Sequence, residues 1–239
     1  MSLTYFSFQD PHLISRIRQV LSSELPVCVV QDMPCEAESN QTLEAFAQQL
    51  GEPLCEPHNL KAGMVCRVEV ELQQERPYAN TPWYFPGHTD CADHAEAPDT
   101  VLLLCEQPSV EGGESFVTSL SAILDGLKPA DLKALGSAQF YFRYGYLPIL
   151  STGYWQGHSI PVIRYNRLLL EYAQPESDNS QQALLDRLDA LIYQQRVEFK
   201  LQAGECLVLN NLTCVHGRAA FDEQGQRLLK RVRLNLATN

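Results

Sequence analysis

The chain has 239 residues, a formal net charge of −11 at pH 7 and a hydrophobic fraction of 45%. That length suits one large domain with a buried core, and the apolar content excludes an intrinsically disordered chain. The acidic balance argues against nucleic acid or an anionic membrane surface as a partner, and no stretch is apolar enough for a transmembrane helix. We therefore expect a single domain over residues 1–239 that binds a small molecule.

The predicted elements begin with two amphipathic helices that flank a buried strand. Apolar residues recur at helical spacing over residues 13–21 and again over residues 43–50. Gly51 follows the second helix, where a glycine can end a helix in the left-handed conformation. The apolar run 27–30 between the helices is typical of a buried strand.

Most of the remaining chain is predicted to be strand. Helical spacing interrupts it over residues 120–127, 129–135 and 181–195. Strands at this density, without regular alternation of strand and helix, favour a closed or sandwiched antiparallel sheet with helices packed outside. We predict a mainly β fold with flanking helices and a jelly-roll core. The predicted strands cover residues 64–72, 100–105, 115–118, 139–144, 160–165, 168–172, 197–201, 205–209 and 228–236.

The first ten residues and the cysteines indicate the cellular compartment. Residues 1–10 lack the positively charged region and the long apolar region of a secretory signal. The eight cysteines are scattered without a C-x-x-C pair, and several lie in apolar strand-like runs. This pattern is typical of reduced core thiols and not of a disulfide framework or a structural zinc site, so we predict a cytoplasmic protein.

Six histidines limit where a metal site can be. His88 and Asp90 form an H-x-D pair, and residues two apart in an extended segment point to the same side. His216 ends a short strand-like run that follows the apolar residues 207–209 and a turn. Two neutral imidazoles and one carboxylate would leave three positions open on a six-coordinate metal, as in non-heme Fe(II) oxygenases. Taken singly, the H-x-D pair could be a solvated loop and His216 a core histidine.

A group of basic residues near the C-terminus helps to distinguish between the possible metal chemistries. Strand alternation sends Arg227, Arg231 and Arg233 to one face, and leaves apolar residues on the other. That arginine face could be exposed to solvent. Alternatively, one or two arginines point into the barrel, where a guanidinium binds a carboxylate in a bidentate fork and implies an acidic ligand.

Four blocks of sequence together resemble a known family. They are His88-Thr89-Asp90, residues 108–115 with their Gly-Gly pair, residues 211–218 around His216, and Arg227 with Arg231. In order and spacing they are similar to the taurine dioxygenase and clavaminate synthase-like family of Fe(II)/2-oxoglutarate oxygenases. The resemblance runs loosely from about residue 43 to the C-terminus.

The resemblance implies a cupin-like double-stranded β-helix, a distorted jelly roll, with Fe(II) held by His88, Asp90 and His216. It also implies that Arg227 pairs with the distal carboxylate of the co-substrate 2-oxoglutarate, and that Ser115 adds a hydrogen bond to it. Arg231 matches a second family arginine that lies close to the co-substrate. The implied reaction uses O2 and releases succinate and CO2 while a C–H bond of a small substrate is oxidised, most often by hydroxylation.

The stretch after the H-x-D pair is where family members carry substrate-contacting residues. It holds three carboxylates and a histidine within residues 91–99, among them Asp93 and His94. These could receive an ammonium or guanidinium group, with Arg231 or Arg218 binding a carboxylate and Trp83 forming a wall of the pocket. An amino acid or a related zwitterion is the substrate this suggests, and a solvated loop is the alternative.

Two other kinds of function use the same residues. A metal-dependent hydrolase would use the His88, Asp90 and His216 set to polarise water, and would need neither O2 nor 2-oxoglutarate. A non-catalytic jelly-roll protein would bind an acidic ligand with its arginine face. The oligomeric state is not predicted by any feature of the sequence.

Overall fold

The computed structural model describes residues 2–36, 39–54, 63–71, 78–94, 96–173, 179–222 and 226–237. None of the helices within these ranges is long and apolar enough to cross a membrane. The helices are α1 (Leu13–Val20), α2 (Gln41–Leu50), α3 (Leu120–Gly126), α4 (Pro129–Leu135), α5 (Arg167–Ala173) and α6 (Asn179–Gln194), with a 3-10 turn at Tyr78–Asn80. The strands are β1 (Thr4–Ser7), β2 (Val27–Gln31), β3 (Gly51–Pro53), β4 (Val65–Glu69), β5 (Phe85–His88), β6 (Thr100–Gln107), β7 (Ser115–Ser119), β8 (Phe140–Tyr141), β9 (Tyr146–Leu147), β10 (Leu150–Trp155), β11 (His158–Ile163), β12 (Val197–Phe199), β13 (Cys206–Asn210), β14 (Cys214–Arg218) and β15 (Leu228–Leu236).

The strands form a major and a minor sheet. The seven-stranded major sheet has the order β1-β2-β13-β6-β15-β3, and β4 also pairs with β15. The four-stranded minor sheet has the order β12-β7-β14-β5. All pairings are antiparallel except that of β1 with β2. Two hairpins, β8 with β9 and β10 with β11, lie outside both sheets.

The two sheets pack face to face around an apolar core. Val29 and Leu207 of the major sheet share one buried cluster with Val117 and Cys214 of the minor sheet. Side chains alternate along a strand, so each sheet sends one set of apolar residues into this shared interior and the other set outward. The predicted jelly roll, a double-stranded β-helix of mainly β structure, is therefore confirmed.

Helices cover the outer faces of both sheets. Ile17 of α1 and Phe46 of α2 pack with Cys28 and other outward residues of the major sheet. Ile123 of α3 and Leu188 of α6 pack in the same way against the minor sheet. The amphipathic patterns in the sequence thus bury one face of each helix on a sheet, and the flanking helices were predicted correctly.

One predicted strand is wrong. Residues 168–172 lie in helix α5, which begins at Arg167. Arg167 pairs with Glu171 one helical turn later at 2.7 Å, and with Asp186 and Asp189 of α6 at 2.8 and 3.1 Å. A short apolar run does not by itself distinguish a strand from a buried helix, and here the ion pairs to α6 favour the helix.

Three other predicted strands are shorter than expected. The run 197–201 keeps only Val197–Phe199 as strand. The run 139–144 keeps only Phe140–Tyr141 as strand, because Arg143 turns the chain with a φ of 47°. The run 64–72 becomes β4, and its last residue, Leu72, lies outside the described residues.

The cysteines of the described residues are free thiols. Burial raises the pKa of Cys28 and Cys214 to about 12, as expected for unreactive core thiols. Cys35 is exposed and so differs from the prediction, and Cys55 lies outside the described residues.

Gly51 does not end α2 in the left-handed conformation that we predicted. Its φ is −174°, which is extended backbone, and it starts β3 opposite Leu236 of β15. A Cβ atom at this position would lie 2.1 Å from the carbonyl oxygen of Asn235. The glycine is therefore needed for close approach of two strands and not for a special φ angle.

Replacing Gly51 with alanine is expected to lower the free energy of unfolding by about 1 to 3 kcal/mol, because the methyl group would force β3 away from β15. Urea unfolding followed by circular dichroism measures this loss. Gly145→Ala is the matched control, since no atom lies within 4 Å of a Cβ built there. Equal stability of the two variants would contradict the prediction.

Candidate metal centre and co-substrate cavity

Two histidines face each other across neighbouring strands of the minor sheet. β5 and β14 are antiparallel, and His216 lies directly opposite His88 in their register. The centroids of the two imidazole rings are 4.3 Å apart. Asp90 follows two residues after His88, and one ligand atom from each of the three buried residues lies within 4.8 Å of the others. Strand pairing therefore brings together donors that are far apart in the sequence.

The His88 ring is held in one orientation and one tautomer. Its Nδ1 lies 2.9 Å from the carbonyl oxygen of Pro86, which can only accept, so Nδ1 carries the proton in the neutral ring. The ring also stacks on Phe85, with centroids 3.9 Å apart. Burial, together with the neighbouring His216, lowers the pKa of His88 to about 4. Near neutral pH the Nε2 lone pair of His88 is therefore available to a metal.

The two oxygens of Asp90 have different partners. Oδ1 lies 3.5 Å from Nε2 of His88 and 3.5 Å from Nε2 of His216. Oδ2 accepts a hydrogen bond of 2.6 Å from Nε of Arg233, and lies 3.5 Å from Nη1 of Arg231. Burial alone would raise the pKa of Asp90, but the two guanidiniums hold it well below its ordinary value. Asp90 is therefore an anion with one oxygen directed to the space between the imidazoles.

The backbone at Asp90 is anchored to the turn between β13 and β14. The Asn211 side chain accepts a hydrogen bond of 2.7 Å from the Asp90 backbone N–H and donates one of 3.1 Å to its carbonyl oxygen. It also donates to the carbonyl oxygen of Pro98 at 2.8 Å. Asn211 is fully buried, and these three hydrogen bonds satisfy its amide group. The segment carrying Asp90 is thus fixed to the strand that carries His216.

The donor set fits a catalytic Fe(II) site. It consists of two imidazoles and one carboxylate, all buried, with no thiolate among them. Structural zinc sites favour four donors that are rich in thiolate, whereas two histidines and one carboxylate leave positions open for other ligands.

A cavity adjoins this cluster and is lined by both Ser115 and Arg227, together with His88, Asp90 and His216. Ser115 starts β7, and Gly113 permits the close turn before it, since a Cβ there would lie 2.3 Å from the Ser109 hydroxyl. Arg227 is buried, and burial lowers its pKa to about 10. Among the residues that the structure describes, no carboxylate pairs with Arg227. A buried guanidinium without an anion is costly, so the cavity fits an anionic ligand.

Arg218 lines the same cavity, but part of its guanidinium group is hydrogen-bonded to the backbone. Its Nη2 donates to the carbonyl oxygens of Thr81 and Trp83 at 2.8 and 3.0 Å. Burial, with Arg227 nearby, lowers the pKa of Arg218 to about 9. Within the described ranges its Nη1 has no hydrogen-bond partner. Arg218 therefore holds the segment before β5 while one of its nitrogens stays available.

Two other predicted substrate residues, Asp93 and His94, lie in the turn after Asp90. Oδ1 of Asp93 lies 3.7 Å from Nε2 of His94, and its Oδ2 lies 3.9 Å from Nη1 of Arg143. Arg164 donates to the carbonyl oxygens of Ala92 and His94, which fixes this turn. His94 does not belong to the cluster of potential metal ligands formed by His88, Asp90 and His216. Trp83 precedes β5, is 51% exposed, and is not among the residues that line the cavity next to the metal donors.

The arginine face of β15 points inward. Only 14% of the Arg231 side chain and 15% of the Arg233 side chain are exposed, so the solvent-exposed alternative is wrong. The contacts that Arg233 and Asn211 make with Asp90 were missed in the sequence. Strand alternation, which places Arg233 on the face of Arg227 and Arg231, was the signal that could have identified Arg233. For Asn211 the only signal was its position in the turn before His216.

Comparison with known proteins gives a family and a fold. The family model described as "Taurine catabolism dioxygenase TauD, TfdA family" matches residues 1–233. The structure of asparagine oxygenase (AsnO) has a TM-score of 0.76 at 20% identity, covering 93% of this chain and 77% of that one. The non-heme iron oxygenase OrfP, in complex with Fe and alpha-ketoglutaric acid, has a TM-score of 0.73 at 17% identity, covering 94% and 80%. No curated protein matches the chain.

The family match and the donor set together make the protein an Fe(II)- and 2-oxoglutarate-dependent dioxygenase. The chain belongs to the taurine catabolism dioxygenase TauD, TfdA family. The family and the cofactors expected from the sequence are confirmed, and the likeness to AsnO and OrfP, at these identities, supports the shared fold.

Proposed function

We propose that the protein hydroxylates a C–H bond of a free amino acid or a related zwitterion, with release of succinate and CO2. The observation that carries the proposal is that His88, Asp90 and His216 meet within 4.8 Å beside a cavity lined by Arg227 and Ser115. Metal donors and a receptor for a carboxylate therefore adjoin each other, as a keto acid that chelates the metal would require.

In this proposal His88, Asp90 and His216 hold the iron. A neutral His88 and an ionised Asp90 need lose no proton to bind a metal near neutral pH. Arg227 binds the distal carboxylate of 2-oxoglutarate with two N–H groups, and the Ser115 hydroxyl donates one more hydrogen bond to it. When bound, iron and 2-oxoglutarate together activate O2 for oxidation of a C–H bond.

Two features support an amino acid as the substrate. The turn after the metal donors carries Asp93, whose carboxylate would bind a cationic group, while Arg231 beside Asp90 and the available nitrogen of Arg218 would bind an anionic group. The second feature comes from the neighbours. Asparagine oxygenase was solved with 3-hydroxyasparagine and succinate, and OrfP with hydroxylated L-Arg and succinate.

His94 and Trp83 have secondary roles in this proposal. His94 would orient Asp93, and the exposed Trp83 ring would contact the substrate outside the cavity. The two alternatives fit the residues less well. A hydrolase has no need of a buried arginine and serine beside its metal, and a plain binder of acidic ligands has no need of three converging metal donors.

An anaerobic titration tests the proposal. Fe(II) and then 2-oxoglutarate are added under nitrogen, and a visible charge-transfer band is expected only when both are present. Admission of air should then produce succinate, and screening amino acids and their derivatives should identify those that stimulate its formation. Turnover of a substrate under nitrogen without 2-oxoglutarate would favour the hydrolase, and failure to bind Fe(II) would favour the non-catalytic binder.

We also propose that the chain acts as one domain and in the cytoplasm. The face-to-face sheets share one buried core, which supports the first point. The free thiols within the described ranges support a reducing compartment.

A further inference from the structure

Arg233 occupies a position beyond the two arginines that the sequence motifs assign to ligands. On β15 it lies opposite Val101 of β6, and its side chain enters the space between the sheets on the same face as Arg231. Its Nε donates a 2.6 Å hydrogen bond to Oδ2 of Asp90, the shorter of the two arginine contacts with that carboxylate. Arg233 therefore contacts a proposed metal ligand directly.

The geometry divides the two oxygens of Asp90 between different tasks. Oδ1 is equidistant, at 3.5 Å, from the Nε2 atoms of His88 and His216. Oδ2 accepts the 2.6 Å hydrogen bond from Arg233. Without that hydrogen bond the carboxylate could rotate about its terminal bond, or bind a metal through both oxygens and use a position needed by another ligand.

We propose that Arg233 is a positioning residue, which holds Asp90 so that a single oxygen is presented to the metal. This inference rests on the proposed function, because it assumes that Asp90 is a metal ligand. Mutation of a residue that hydrogen-bonds to a metal ligand commonly lowers metal affinity by about 10- to 100-fold. Arg233 would contribute through the hydrogen bond of its Nε, and not only through its charge.

Two substitutions separate the hydrogen bond from the charge and from the packing. Arg233→Gln has an N–H donor at the same number of bonds from the backbone as the Arg233 Nε, without the charge. Arg233→Met retains a side chain of similar length with no donor. Arg67→Met is the matched control, since Arg67 lies on neighbouring β4 and makes a surface ion pair with Glu69, where the side chains are 48% and 41% exposed.

The readouts are the Fe(II) dissociation constant, measured anaerobically by competition with a chromogenic chelator, and the visible spectrum of bound Co(II), which reports coordination number. We expect Arg233→Met to weaken Fe(II) binding by about 10- to 100-fold and to alter the Co(II) spectrum. Arg233→Gln should retain most of the affinity and the wild-type spectrum, and Arg67→Met should match the wild type. Thermal unfolding of the metal-free variants verifies that all are folded.

Three outcomes would overturn the inference. These are wild-type metal affinity in Arg233→Met, equal weakening in Arg233→Gln and Arg233→Met, or unchanged metal affinity with only a higher KM for the amino acid substrate. The last would make Arg233 a substrate-binding residue. If the wild-type protein itself bound neither Fe(II) nor Co(II), the proposed function would fail instead, so the two failures are distinguishable.

Discussion

Replacing Asp90 with alanine is expected to abolish turnover and to weaken Fe(II) binding by more than about a hundredfold, since loss of a partner outside the ligand shell already costs about 10- to 100-fold. Asp90 supplies the negative charge of the candidate site, and its Oδ1 lies 3.5 Å from both imidazoles. Without it the two histidines would remain beside the inward guanidiniums of Arg231 and Arg233 with no carboxylate to complete the donor set. Succinate formation and anaerobic Fe(II) titration measure the two effects.

Two further variants make the Asp90 result interpretable. Asp90→Asn keeps the size of the side chain and a hydrogen-bond acceptor for Arg233, so a loss of activity in a folded Asp90→Asn protein reports the lost charge. Asp125→Ala removes an exposed carboxylate on α3 and should leave activity unchanged. An Asp90→Ala protein with unimpaired turnover would refute the assignment of the metal site.

Replacing Arg227 with methionine is expected to raise the KM for 2-oxoglutarate about 30-fold or more, because truncating one partner of a buried charge pair costs about 2 to 5 kcal/mol. Arg227 is buried on the cavity beside the metal donors, and no carboxylate of the described residues pairs with it. The distal carboxylate of the co-substrate would be its counter-ion. Initial rates of succinate formation at varied 2-oxoglutarate measure the effect.

The Arg227 variant should leave Fe(II) affinity close to that of the wild type, because the metal donors lie on β5, on β14 and directly after β5, whereas Arg227 precedes β15. Arg227→Lys should fall between the wild type and Arg227→Met, since an ammonium group keeps the charge but not the bidentate fork. A KM for 2-oxoglutarate that does not change in Arg227→Met would place the co-substrate carboxylate elsewhere.

Several elements were predictable because their signals are local. The amphipathic spacing of residues 43–50 is a property of one helix, and it agrees with α2. The strand-like run 205–209 is likewise a property of one strand, and it agrees with β13. Residues 168–172 show the limit of such signals. Their apolar run is compatible with a strand or a helix, and the ion pairs of Arg167 with Asp186 and Asp189 on α6 favour the helix.

Close approach of strands is also invisible in the sequence. Gly51 stands where a helix ends, so a capping role was the natural prediction. Its actual function depends on Asn235, which lies far along the chain and meets it only in the folded sheet. A glycine needed for close packing and a glycine needed for its φ angle look the same in a sequence.

The sequence by itself determined the residue types of the site, their order and spacing, and which arginines share a face of β15. Only the tertiary structure decided that this face points inward, that Asn211 fixes the backbone at Asp90, and that Arg233 binds the Asp90 carboxylate across 143 positions of sequence. The physical reason is that alternation along a strand relates neighbours on one chain segment, whereas burial and contact depend on which other segment packs against it.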